Sequence, residues 1–416
     1  PQGNGHYVLT SNSPTGPFVP VTGNLGKKID GSVFIDDDSK WYFYHANSAG
    51  IQGCAMPNPT TFGQSVGLNA QMNGQWTEAP CLIKRNGIYY LLYTGNHVWS
   101  NGYRVDYAMN TTQNPISIYT PQMEQNPVLI KTEGSFIGLG HGTAFIGPDL
   151  DTYYFTYHNL VRIGGGMAPS RKFNYDRMAW NGDKLLILGP TNWAQQQPAL
   201  ANADFFERTD IGADWSMPNG GNWSIKNKDL LSQDKTDTEY KAIFTPYSSP
   251  DYTAEFTMKE AGTNENDAKL GAVFSYKDEQ NYGVALLNSS SNQLEINFRI
   301  NNVWGTTQNY ELPVGFNHRV WHSIRIEKNV QNYKFFVDGL YKATLTSNLN
   351  GGQIGYMTHN CNGHFSYIAI SDKVNGSGIF DVYKPVPGDI QAIHYNTGGE
   401  GVGYHDLTVE NTGDSG

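Results

Sequence analysis

Two carboxylates and an imidazole stand at related points of a repeated pattern. Asp30 lies 11 residues before Trp41, and Glu78 lies 11 residues before Tyr89. The corresponding point of the next repeat falls at Gly142, with His141 beside it. A protonated carboxyl can give a proton to a departing oxygen, and an ionised one can orient or activate a nucleophile. Asp30 opens KIDGSVFI and Glu78 opens WTEAPCLI, each ahead of an apolar strand. Burial at such a place is expected to raise a carboxyl pKa. The chemistry on offer is therefore acid/base work in a polar cavity, with Asp30, Glu78 and His141 as its candidates.

The elements that must position these residues repeat three times. A turn followed by an aromatic-rich strand reads DDDSKWYFYH, then KRNGIYYLLY, then GPDLDTYYFTYH. Asp, Asn and Gly supply the turns and the aromatic runs favour strands. The spacings suit four-stranded propeller blades, whose innermost strands line a central channel. GIQGCAMPNPTTF and YRVDYAMNTTQNPI extend the repeats, and HYVLTSNSPTGPF resembles the later part of one. The chain thus reads as entering within a blade and leaving the propeller near Thr191. Asp36, Asp37 and Asp38 read as a solvated hairpin turn, because they lack calcium-loop spacing. Gly164, Gly165 and Gly166 read as a crossover rather than a phosphate loop, for want of the Lys-Ser/Thr ending.

From about Ala201 the texture changes to alternating strands such as YTAEFTM, LGAVFSY, QLEINFRI and FSYIAIS, with polar turns between them. This pattern predicts an antiparallel sandwich. KPVPGD reads as a stiff linker. The expected organisation is a partial propeller over 1–200, a sandwich over 201–378, and a linker with the start of a further module over 379–416. The fold class is all-β: a five-bladed propeller lacking its first blade and part of its second, plus the sandwich.

The 416 residues carry 28 Lys and Arg against 38 Asp and Glu, a formal charge of −10. That balance argues against nucleic acid or an anionic membrane as partner. No run of 18 or more apolar residues suggests a spanning helix. The sequence begins with Pro1 rather than Met, so the lack of a leader is uninformative about export. Cys54, Cys81 and Cys361 form no CxxC pair and read as small buried hydrophobes, with a Cys54–Cys81 bridge as the weaker option. Of the 26 Tyr and 9 Trp, those in strands, such as Trp41, read as core. Trp99, in the loop GNHVWSNGY, can instead stack on a sugar face. Asn96, His97 and Arg104 follow Glu78 and, with Arg171, are the candidate polar contacts to a saccharide.

Taken together, SPTGPF, IDGSVFIDDDSKWYFYH, TEAPCLIKRNGIYYLLYTGNH, GLGHGTAFIGPDLDTYYFTYHN and WNGDKLLILGPT resemble, in order, segments of glycoside hydrolase family 43. That resemblance covers about residues 5 to 191. It implies a five-bladed propeller glycosidase acting with inversion. By it Glu78 matches the general acid, Asp30 the aspartate that tunes the acid and orients substrate, and His141 the axial histidine. The last implies a calcium ion or water on the axis near His141, with no cofactor otherwise required. The family's catalytic base is an aspartate of the first blade, which has no counterpart in the sequence. The region after 201 resembles a concanavalin-like sandwich, and IQAIHYNTGGEGVGYHDLT resembles the opening of a family 6 carbohydrate-binding module.

The resemblance implies a secreted or periplasmic enzyme on plant-type polysaccharide or oligosaccharide, of α-L-arabinofuranosidase or β-xylosidase type. A β-D-galactofuranosidase or galactan exo-hydrolase is the variant within the class. A non-catalytic carbohydrate-binding protein is the alternative outside it.

Overall fold

The computed structural model describes residues 5–11, 15–72, 76–162, 169–194, 197–262 and 265–372. The Gly164–Gly166 crossover, the KPVPGD linker and the expected module start fall outside these. Among the described residues there is no helix; strands do all the positioning. The residues fall into two units, one from 5–146 and 152–194, the other from 147–151 and 197–372.

The first unit holds three four-stranded antiparallel sheets. The first is β3 (Ile29–Ile35), β4 (Trp41–Asn47), β5 (Gly50–Met56) and β6 (Val66–Gly67). The second is β7 (Thr77–Arg85), β8 (Ile88–Gly95), β9 (Arg104–Asn110) and β10 (Thr120–Pro121). After the short hairpin of β11 (Thr132–Glu133) and β12 (Phe136–Ile137), the third is β13 (Gly140–Ile146), β14 (Tyr153–Val161), β15 (Ser170–Asn181) and β16 (Lys184–Ile187). Ahead of them β1 (Leu9–Thr10) pairs with β2 (Val19–Pro20). Sequential antiparallel order within each sheet is the blade pattern of a propeller.

The central aromatic strand shows why these sheets stack. In β8, Tyr89, Leu91 and Tyr93 join the core shared with Tyr44, Ala46 and Ile51 of the first sheet. The alternate residues Tyr90 and Leu92 join Phe155, Tyr157 and Trp180 of the third. A strand buried on both faces must be apolar at every position. That accounts for the unbroken run IYYLLY.

The first aspartate cluster is partly not what its sequence suggests. Asp36 is 6% exposed rather than solvated. It accepts from Lys84 Nζ at 2.6 Å and from the Tyr89 hydroxyl at 2.5 Å, tying the first sheet to the second. Asp37 and Asp38 keep the surface role, Asp37 pairing with Lys84 and Asp38 with Lys40. The three cysteines are free and buried, so the Cys54–Cys81 bridge is absent.

The second unit is a sandwich of two eight-stranded antiparallel sheets. Tyr252–Ala261, His322–Asn329 and Asn362–Ser371 are central in one; Lys269–Asp278, Asn281–Asn288 and Gln353–His359 are central in the other. Phe256, Ile324 and Phe365 from one sheet meet Phe274, Ala285 and Tyr356 from the other in one core. The alternation read from the sequence is this inward and outward period of two.

Candidate active site

Each of the three inner strands carries the same irregularity. Three steps along β3, from Ile29 to Ser32, oppose two along β4, from Ala46 to Tyr44. Glu78 to Cys81 does the same against Thr94 to Leu92, and Gly140 to Thr143 against His158 to Thr156. These are β-bulges, which turn a side chain away from the ladder's regular alternation. The second residue of every bulge has a left-handed backbone: Asp30 at φ 59°, Ala79 at φ 53° and His141 at φ 55°. Such values are uncommon outside glycine, and they recur at functional sites.

The register corrects the spacing argument. Asp30, Ala79 and His141 are the equivalent residues, and Glu78 stands one residue earlier. The shared offset of 11 arises because the turn between Ile35 and Trp41 is one residue longer than that between Lys84 and Tyr89. Asp30, Glu78 and His141 nevertheless converge. One donor atom from each lies within 4.8 Å of the others.

Hydrogen bonds between neighbouring blades fix the cluster. The Ala79 N–H donates to Asp30 Oδ2 at 3.1 Å. The His141 N–H donates to Thr94 Oγ1 at 3.0 Å. His141 Nε2 lies 3.8 Å from Asp30 Oδ1, and its Nδ1 lies 3.7 Å from Glu78 Oε1. Glu78 is buried, and the Tyr103 hydroxyl donates to its Oε1. Trp76 is near enough to the same carboxylate to help lower its pKa.

Burial pushes the Glu78 pKa upward, as the sequence suggests. The close approach and charge of His141, with the hydrogen bond from Tyr103, outweigh it, and the pKa lies below the usual 4.5. The expectation of a raised value is therefore reversed. The Glu78 contact raises His141 above 6.5 against the opposing effect of burial, with Asp30 reinforcing it. The pair holds its proton on the imidazole. Behind it, burial, Arg171 and His141 push His158 down to about 4, so that ring is neutral.

This coupling predicts a pH window. The Glu78 contribution is complete above 4.5 and fades as pH falls through its lowered value. The His141 contribution is complete below 6.5 and fades as pH rises through its raised value. Both act together between the ordinary values of 4.5 and 6.5. Thermal denaturation should show greatest stability there, and His141→Gln should flatten the profile. A wild-type profile without that maximum contradicts the coupling.

The other candidates are less concentrated. Arg171 acts electrostatically on His141, His158 and Tyr103, which puts it in the neighbourhood of the cluster. Arg104 is paired with Asp106, and Asn96 donates to the Gly102 carbonyl at 2.6 Å; both serve local structure. His97 lies 4.9 Å from Trp76 and 5.8 Å from Trp99, ring centre to centre. Trp76 and Trp99 are about half exposed, so the three rings form an aromatic shelf on the side of Glu78. Sequence reasoning missed Trp76, Thr94, Tyr103 and His158. Only WTE, which puts Trp76 two residues before the acid candidate, carried a local signal.

The triad's donors do not fit a calcium ion. Calcium takes about 6–8 oxygens. Here there are two carboxylates, each already hydrogen-bonded, and one imidazole.

Stacked four-stranded blades with two carboxylates and an imidazole on their bulged inner strands define a propeller protein with an acid/base cluster. The sequence profile described as glycosyl hydrolases family 43 matches residues 1–186. Over 189 residues the chain is 27% identical to beta-D-galactofuranosidase xynD of Aspergillus niger, covering 43% of this chain and 53% of that one. The chain thus spans about half the length of this curated relative. Among solved structures, a xylan beta-1,4-xylosidase from Bacillus halodurans is 16% identical, with 88% of this chain and 80% of that chain covered and a TM-score of 0.38. An alpha-L-arabinofuranosidase from Lactobacillus brevis is 19% identical, with 46% and 67% covered and a TM-score of 0.39.

Proposed function

We propose that this protein is a glycoside hydrolase that removes terminal sugars from polysaccharide by an inverting acid/base mechanism. The convergence of Asp30, Glu78 and His141 within 4.8 Å carries the reading. Glu78 is the general acid for the leaving oxygen. Asp30 is too near it to be the inverting base, since that role needs carboxyls about 6.5–9.5 Å apart with a water between. Its place suits a residue that tunes the acid and holds the sugar. The base is not assigned to a residue of this sequence. The shelf of Trp76, His97 and Trp99 suits the apolar C–H face of a sugar ring.

The substrate is assigned as an α-L-arabinofuranoside or β-xyloside. A β-D-galactofuranoside ranks second, favoured by the name of the Aspergillus niger relative. A polymer of sugars does not enter a cell intact, so the reading puts the protein outside the cytoplasm, secreted or periplasmic. The natural full-length protein, assayed on aryl arabinofuranosides, xylosides and galactofuranosides, should release sugar from one of the first two. Release from the third alone moves the assignment to galactofuranose. Saccharide binding without release from any of them supports a non-catalytic binding protein instead.

A further inference from the structure

Tyr103, just ahead of β9, is fully buried. Its ring stacks on His158 of β14, with centres 5.4 Å apart and planes 18° from parallel. Room for that ring depends on Gly140, where an added Cβ would stand 3.0 Å from Tyr103 Cε1 and 2.3 Å from Thr94 Cγ2. The clamped ring delivers one hydroxyl between two functional groups. It donates to Glu78 Oε1 and lies 3.3 Å from His141 Nδ1. The direct gap from His141 Nδ1 to Glu78 Oε1 is 3.7 Å, too long for a hydrogen bond. The groups facing His141 are Asp30 from β3, Glu78 from β7, Tyr103, His158 from β14 and Arg171 from β15.

Resting on the reading of Glu78 as acid, we propose that Tyr103 is its positioning residue and the hydroxyl bridge through which His141 restores its proton. The His141 Nδ1–H bond breaks as its proton moves to the Tyr103 oxygen. The original Tyr103 O–H bond breaks as that proton moves to Glu78 Oε1. Imidazolium becomes imidazole, carboxylate becomes carboxylic acid, and tyrosine ends unchanged. Charge and atoms balance without a further reactant. His158, neutral and stacked behind the ring, holds the bridge in line. Its buried Nε2 has no hydrogen-bond partner among the described residues, so it does not draw the hydroxyl away.

The test is Tyr103→Phe in the full-length protein, with alkyl glycosides that need a protonated leaving oxygen and aryl glycosides whose activated phenol does not. General acid catalysis is worth roughly 10²–10⁴-fold. The variant should lose about 100-fold in kcat on the alkyl substrate and less than about 5-fold on the activated aryl one. Equal losses on both mark a merely structural tyrosine and overturn the proposal, as does no loss on either. If Tyr103→Phe does not melt cooperatively, 3-fluorotyrosine at position 103 decides. It keeps the ring's shape but makes the hydroxyl more acidic, so the alkyl-to-aryl rate ratio must change; an unchanged ratio overturns the bridge. Glu78→Gln run alongside separates the two claims. Alkyl turnover surviving there removes the acid itself, whereas survival only in Tyr103→Phe removes the bridge alone.

Discussion

Replacing Glu78 with glutamine is expected to lower kcat on alkyl-linked substrates by about 10²–10⁴-fold. The change is nearly isosteric at a site only 6% exposed. The Tyr103 hydroxyl can donate to an amide oxygen as it does to the carboxylate, so the fold and the sugar shelf should persist. What disappears is the proton. An activated aryl leaving group departs without one and should be far less affected. The comparison of both substrate types, with a melting curve, separates loss of the acid from loss of structure. Full alkyl turnover in the variant would remove Glu78 from its role.

The second large effect is expected from Gly142→Ala. Gly142 follows the left-handed His141 inside the third bulge. A Cβ there would stand 1.7 Å from the Thr156 carbonyl oxygen, a backbone atom of the neighbouring strand β14. A flexible side chain could swing away, but a ladder carbonyl cannot. The inner strand must shift, carrying His141 away from Asp30 and Glu78. Misplacement of catalytic geometry by about 1 Å can cost roughly 100-fold in rate. Overpacking of this kind also costs about 1–3 kcal/mol. A loss of that size in kcat with a lowered melting temperature is the expected result. Unchanged rate and melting would mean that the bulge does not hold the site.

The blades were legible because their central strands are buried on both faces. IYYLLY could belong to little else, and the recurrence of such runs announced a repeat. The sandwich was legible from the opposite pattern, strict alternation with one polar face. The relation between Asp30 and Glu78 was legible only in part. Sequence spacing counts residues, whereas register counts rungs, and a turn longer by one residue conceals a shift of one rung. The direction of the Glu78 pKa was misread for a similar reason. Burial can be guessed from an apolar flank, but the compensating donors come from His141 and Tyr103 on other strands. Asp36 shows the same limit. Three adjacent aspartates read as a surface turn until Lys84 and Tyr89, some 50 residues away, turn one of them into a buried tie.

The most direct test is a crystal structure of full-length Glu78→Gln protein with an oligosaccharide bound. A glycosidic oxygen should sit about 2.6–3.2 Å from the side-chain amide at position 78, hydrogen-bond distance for proton donation. The terminal sugar should lie between Asp30 and the Trp76–Trp99 shelf. Saccharide held only at other surfaces, with the bulged inner strands empty, would contradict the assignment of hydrolysis to this cluster.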